Sequence, residues 1–263
     1  MSDQIRPRPE GRSMEVRMTK RDITIETTDG TCPAGLFLPE GGPQGRKAGV
    51  ILYMDAIGPR AALDGMAERL AGAGYTVLVP DLFYRFGAYG PFDARTAFGD
   101  EATRAQLMSM IGGTTQAMTA ADTAAFLAAL DAAGATGPVG TTGYCMGGAR
   151  ALTAAASYPD RIVAAASFHG GNLASEAEDS PHRRATDIRA RVYVGSAGED
   201  RSFPPEQSAR LAQALREGGV DHIIENYIGC AHGWCVPDHG VYDATGAERH
   251  WRRLMTLFGE TLA

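Results

Sequence analysis

The sequence predicts a doubly wound α/β fold, with a mostly parallel sheet, helices on both faces and an N-terminal β-hairpin. Three observations carry that expectation. Unbroken apolar runs of strand length alternate with segments whose apolar residues recur at helical spacing, the pattern of repeated βαβ units. Near the N-terminus, the dipeptide Asp29-Gly30 separates two stretches of apolar–polar alternation. The chemically capable side chains fall just after the predicted strands, at the edge where open α/β sheets bind ligands.

Taken in order, "RDITIETTDGTCPAGLFLPE" alternates on both sides of Asp29-Gly30 and reads as the hairpin. "AGVILYMDA" is an apolar run ending in a polar residue, as a strand buried on both faces requires. "PRAALDGMAERLAGAG" puts Leu63, Met66, Ala67 and Leu70 on one helical face and ends in glycines. "YTVLVPDLF" is the next buried strand. Residues 83–100, "FYRFGAYGPFDARTAFGD", then break the rhythm with Phe83, Tyr84, Phe86, Tyr89, Phe92 and Phe98 among glycines and a proline. A long aromatic loop after a strand is a candidate functional segment. The helical stretch from Glu101 to Leu130 is divided at Gly112-Gly113. Beyond it, "GPVGTTGYC" is a strand, "GGARALTAAASYP" a helix, and "IVAAASF" and "RARVYVGSAGED" are strands. "PPEQSARLAQALREGG" is a helix, "DHIIENYIG" a strand, and "TGAERHWRRLMTLFGETLA" an amphipathic closing helix. No internal repeat or linker interrupts this series. Residues 20–263 read as one domain, and residues 1–19 as a loose tail rich in Pro, Arg and Ser.

A chain of 263 residues is long enough to bury a sizeable core. Its 44% hydrophobic and 21% charged residues are ordinary for a globular protein. A net charge of -6, with no cluster of Lys and Arg, points away from nucleic acid. No apolar run approaches the roughly 20 residues needed to span a bilayer, so no membrane partner is expected. The N-terminal "MSDQIRPRPEGRS" lacks the apolar core of a secretory signal. Four cysteines do not make a disulfide framework in a chain this long. The expected location is the cytoplasm and the expected partner a small molecule, with the chain a monomer or a homodimer.

The polar residues at the predicted strand ends are Asp55, Arg85, Cys145, His169, Asp200 and His232. Cys145 stands out. "GYCMG" fits G-x-C-x-G, the cysteine form of a nucleophile elbow, in the required strand–turn–helix context. Such a turn is strained and tightly packed, so Gly143 and Gly147 leave room where a Cβ would collide. A sulfur at a helix N-terminus is favoured as thiolate, and the Met146 amide points where an oxyanion would form. The competing reading is a buried structural cysteine, and the local context argues against it. A nucleophile needs a base and an acid, in the order nucleophile, acid, histidine. Asp200 follows a strand and is the acid, with Glu199 the alternative; His232 in "GCAHGW" is the base. His182, His222, His239 and His250 read as surface residues, and His169 in "SFHGG" as a candidate to line the pocket. Cys230, His232 and Cys235 also form C-x-H-x-x-C, but no second cluster completes a tetrahedral zinc site. Cys32, Cys230 and Cys235 therefore read as packing residues, and no metal or organic cofactor is expected.

On these residues the chain resembles the dienelactone hydrolase family of α/β-hydrolases. "GYCMGG" closely matches that family's cysteine elbow. "PDLFYR" is similar to its strand-end motif, and the resemblance implies Arg85 as a contact for a substrate carboxylate. "GEDRSFP" and "CAHGW" resemble the segments carrying the triad aspartate and histidine, which implies Asp200 and His232. "YMDAIG" sits where the family places an acidic residue before an oxyanion-hole amide, implying Asp55 for the acid and the Ala56 N–H as second donor. The match runs from about residue 20 to residue 260. Two positions depart from the family: Asp55 stands in place of a glutamate, and Val236 where a second arginine would be. The implied activity is hydrolysis of an ester or lactone, of the dienelactone (carboxymethylenebutenolide) type, through a thioester on Cys145. His169 and Trp234 are weaker candidates for substrate contact or support. A carboxylesterase or cyclase for a bulkier, less charged substrate is the rival enzyme reading. From other classes, the rivals are a non-catalytic small-ligand binder and a thiol redox sensor.

Overall fold

A computed structural model describes residues 19–40 and 47–263. The expected tail over 1–19 lies outside the described residues, except for Thr19, which already begins a strand. The hairpin pairs β1 (Thr19–Thr27) with β2 (Gly30–Leu38) in antiparallel register, Thr27 opposite Gly30. Its two-residue turn is thus Thr28-Asp29, one position earlier than the dipeptide pattern indicates. Gly30 instead opens β2 at φ +135°, a conformation open to glycine. The Thr27 hydroxyl braces the turn, donating to the Gly30 carbonyl at 2.7 Å.

Six further strands complete one sheet: β3 (Gly49–Tyr53), β4 (Thr76–Pro80), β5 (Val139–Tyr144), β6 (Ile162–Phe168), β7 (Arg191–Glu199) and β8 (His222–Ala231). The spatial order is β1-β2-β4-β3-β5-β6-β7-β8. The strands from β4 to β8 run parallel, and only the hairpin is antiparallel to its neighbours. Every residue of β3, β4 and β5 is buried, which explains the apolar runs of β3 and β4 and the small residues of β5.

The helices are α1 (Ala61–Gly72), α2 (Glu101–Gly113), α3 (Gln116–Ala132), α4 (Met146–Ser157), α5 (Pro205–Glu217) and α6 (Ala244–Thr261). The break after Gly113 is fixed on its far side by Thr115, whose hydroxyl caps α3 by accepting from the Met118 amide at 3.2 Å. Helices cover both faces of the sheet, as two adjacent residues of β5 make plain. The Thr141 hydroxyl donates to the Ala151 carbonyl of α4 at 3.2 Å, whereas a Cβ at Gly140 would meet the Phe258 ring of α6 at 2.7 Å. Successive strand residues point to opposite faces, so α4 and α6 lie on opposite sides.

The chain leaves β3 for β4 in one direction and returns to β5 on the other side of β3. Doubly wound sheets place their ligands at such a reversal, outside the carboxyl ends of the strands, here those of β3 and β5. No helix among the described residues is long and apolar enough to cross a membrane.

Candidate functional site

Cys145 joins β5 to α4 with φ 55° and ψ -120°, a strained conformation for a residue with a side chain. The flanking glycines are steric necessities. A Cβ at Gly143 would lie 1.9 Å from the Gly147 carbonyl oxygen, and one at Gly147 would lie 2.4 Å from that of Tyr53. The first turn of α4 thus presses directly on the chain that leaves β3 toward Ala56. Met146 is the first residue of α4, so its amide has no partner within the helix. The Ala56 amide likewise makes no hydrogen bond among the described residues. Both amides are thus uncommitted donors among the described residues. Cys145 is half-buried, whereas Cys32, Cys230 and Cys235 are buried. Burial pushes the Cys32 thiol up to about 12 and raises Cys230 and Cys235 as well, which keeps those three protonated.

His232 and Asp200 come from the loops after β8 and β7, and they meet. His232 Nδ1 lies 2.8 Å from Asp200 Oδ2. The other carboxylate oxygen accepts from the Ser202 amide at 2.8 Å and from its hydroxyl at 2.6 Å. Burial opposes charge on the imidazole. The Cys145 sulfur and Asp200 together outweigh it, and His232 rises to about 10. Burial likewise opposes the Asp200 carboxylate, but His232 and Ser202 hold its pKa below the usual range. Glu199, the alternative acid, is exposed. Ser202 is a site residue the sequence reasoning missed. Its signal was the Asp-x-Ser spacing of a turn in which aspartate accepts from the residue two ahead.

His169 is completely buried at φ 39°, and its Nδ1 accepts from the Cys145 amide at 3.1 Å. Its ring stands edge-on to His232, with centroids 4.8 Å apart, and 5.3 Å from Trp234. Trp234 is also fully buried and stacks on Tyr227 at 4.6 Å, so it supports the histidines from behind and offers no surface to a ligand.

Two expectations need correction. Arg85 is not free to read a substrate carboxylate. Its guanidinium forks onto Asp122 of α3 at 2.9 and 2.8 Å, and Nε donates to Asp29 of the hairpin turn at 2.9 Å. Asp122 is almost wholly buried and needs that neutralisation. His239 and His250 are not surface residues. His250 is buried against Tyr144, whose hydroxyl lies 3.0 Å from its Nε2. His239 Nε2 lies 3.0 Å from Asp55 Oδ2. Asp55 is therefore no loose acid beside the thiol. Arg60 donates to both its oxygens, at 2.8 and 2.9 Å, and spans to Asp238 with bonds of 2.6 and 2.8 Å. Burial opposes the Asp55 charge, but His239 and Arg60 keep its pKa below the usual value.

The aromatic loop folds back over the chain beyond Ala56. Ile57 packs with Ala97 and Leu107, and Tyr89 stacks on Phe92 at 6.0 Å. A solvent-open cavity of about 590 Å³ lies beneath, walled by Ile57, Arg60, Asp81, Tyr89 and Phe92; Cys145 does not line it. Among the described residues, no group of three or more His, Cys, Asp or Glu is placed to hold a metal ion.

A doubly wound sheet with a thiol on a strained strand-to-helix turn and a histidine–aspartate pair at the ends of its later strands defines an α/β-hydrolase. The Dienelactone hydrolase family profile matches residues 34–262, and the chain belongs to that family of ester- and lactone-cleaving hydrolases. A protein of Synechocystis sp., named by inference a carboxymethylenebutenolidase, is 29% identical over 90% of this chain and 97% of its own length. A dienelactone hydrolase-like promiscuous phosphotriesterase from metagenomic libraries superposes with a TM-score of 0.77 at 27% identity, covering 93% of this chain and 98% of its own. A Klebsiella pneumoniae structure assigned to the dienelactone hydrolases reaches a TM-score of 0.81 at 22% identity, covering 92% and 99%.

Proposed function

We propose that the protein cleaves its ester or lactone through a Cys145–His232–Asp200 triad and a thioester intermediate. One observation carries the reading: Asp200 holds His232 Nδ1 at 2.8 Å, and His169, whose ring centroid lies 4.8 Å from that imidazole, accepts from the Cys145 amide at 3.1 Å, which brings the pair and the thiol into one site. With its pKa raised, His232 holds the thiol's proton as an imidazolium, and the thiolate attacks the substrate carbonyl. The Met146 and Ala56 amides stabilise the oxyanion that forms. The imidazolium then protonates the departing alkoxide, leaving an acyl group on sulfur. His232 next removes a proton from water, whose attack on the thioester releases the carboxylic acid and restores the thiol. Asp200 keeps the imidazole in the productive tautomer throughout. No step draws on a metal or an organic cofactor.

The engagement of Arg85 by Asp122 and Asp29 favours neutral esters and lactones over anionic dienelactones, the less charged substrates of a carboxylesterase. A pure binding role needs no base and acid in register. A redox sensor needs a resolving thiol, and the other three cysteines are buried. Rapid quench of the enzyme with p-nitrophenyl butyrate followed by peptide mass spectrometry should find the butyryl group on Cys145, and Cys145→Ala should abolish turnover. An acyl group on another residue, or an active Cys145→Ala enzyme, would defeat the assignment. A panel of esters and lactones with and without a carboxylate decides the substrate class.

A further inference from the structure

We propose that His169 is a positioning residue for the nucleophile: its Nδ1 holds the Cys145 amide and thereby fixes the backbone of the elbow. The proposal rests on the reading of Cys145 as the attacking group.

Both backbone polar atoms of Cys145 are gripped by the segment that follows β6. The amide donates to the Phe168 carbonyl at 3.2 Å and to His169 Nδ1 at 3.1 Å. The carbonyl accepts from Gly148 at 3.1 Å and from Gly171 at 3.3 Å. A residue at φ 55° keeps that conformation only where its surroundings over-determine it, and the His169 side chain supplies one of the constraints. Because the amide is the donor, Nδ1 is a bare acceptor and the ring proton sits on Nε2. Burial, with the charges of His232, His239 and His250 around it, depresses the His169 pKa well below the ordinary value, so the acceptor persists at neutral pH.

The rest of the imidazole gains little from being polar. Nε2 is buried and finds no hydrogen-bond partner among the described residues. A phenyl ring would fill the same space without an unpaired N–H. What the imidazole adds is the acceptor at the δ position, aimed at the one amide whose placement sets the direction of the sulfur.

An asparagine carries its Oδ1 the same number of bonds from Cα as Nδ1, and it tolerates a positive φ. A glutamine carries its acceptor one atom farther out. For p-nitrophenyl butyrate, His169→Leu and His169→Gln should lower kcat about tenfold with KM within about twofold, the size expected for one hydrogen bond. His169→Asn should recover to within about threefold of wild type. Circular dichroism and thermal melting establish folding, and if His169→Leu is unfolded, the Asn and Gln variants decide the matter. Equal rates for Asn and Gln would overturn the proposal, as would a raised KM at unchanged kcat, which would make His169 a substrate contact. Cys145→Ala separates the two readings. If it stays active, the nucleophile assignment falls; if it is dead while His169→Gln runs at the wild-type rate, only the His169 proposal falls.

Discussion

Replacing Asp200 by Asn tests the triad with little change of shape. The carboxylate holds His232 Nδ1 at 2.8 Å, and the Ser202 hydroxyl at 3.2 Å is the remaining neighbour of that nitrogen. Burial opposes the imidazolium, and the Cys145 sulfur and Asp200 together raise His232 to about 10 despite it. Hydrogen bonds to a charged partner contribute about 1.5–3 kcal/mol, so Asn should lower kcat/KM for p-nitrophenyl butyrate by about 10- to 150-fold. The sign of the pH dependence follows from the raised value. The wild-type imidazolium contributes stability in full below about pH 6.5 and loses it as pH rises through about 10. Asp200→Asn should therefore lower the melting temperature more at pH 6 than at pH 10. It should also bring the His232 imidazole titration, followed by NMR, down toward neutrality. A variant within twofold of the wild-type rate, with an unmoved His232 titration, would refute the reasoning.

Gly147→Ala drives a methyl toward two fixed carbonyls, 2.4 Å from Tyr53 O and 2.5 Å from Met54 O. Overpacking of that kind costs about 1–3 kcal/mol, so the melting temperature should fall by roughly 3–10 °C and kcat with it; a wild-type melt would show the turn to be slack. Arg85→Ala leaves Asp122 buried with only the Tyr84 hydroxyl, 3.0 Å away, at a cost of about 3–5 kcal/mol. Its KM should change by the same factor for anionic and neutral esters, and a selective rise for the anionic ones would restore a substrate-binding role. Glu225 is opposed by burial yet held at about 2 by Arg253, Tyr193 and Arg249. Its contribution is present above about pH 4.5 and lost as pH falls toward 2, so Glu225→Gln should lower the melting temperature at pH 7 and hardly at all at pH 2.5. Equal losses at both values would mean that the charge is not what stabilises.

The strands were legible because burial on both faces writes itself into consecutive residues, and the helices because their apolar faces repeat. The order of strands was not, since pairing across the sheet leaves no mark in local spacing. Within the site, Cys145 was legible because the elbow's steric demand is met by residues two positions away on either side. Arg85 was misread because its partner Asp122 lies 37 residues later, within an alanine-rich helix. His250 was misread for the same reason, its partner Tyr144 being 106 residues distant. Ser202 went unmarked because a serine two residues after an aspartate is ordinary in a turn and carries no separate sign of a site.

The arrangement around Asp55 bears on how the thiol is deprotonated. A carboxylate that switches partners on substrate binding must be free to leave its resting contacts. Asp55 Oδ1 accepts from the Ile57 amide and Arg60, and Oδ2 from Arg60 with His239 beside it, all within 3.0 Å. It is 1% exposed, and breaking such a buried pair costs about 3–5 kcal/mol. A substrate that had to free it would bind at least a hundredfold more weakly for that reason alone. The same contacts serve better as a clasp. Asp238 and His239 belong to the loop that begins at His232, and Asp55 lies immediately before Ala56, so Arg60 and Asp55 tie the His232 loop to the carboxyl end of β3. In the proposed mechanism Asp55 therefore takes no part in deprotonating the thiol, and that step falls to His232.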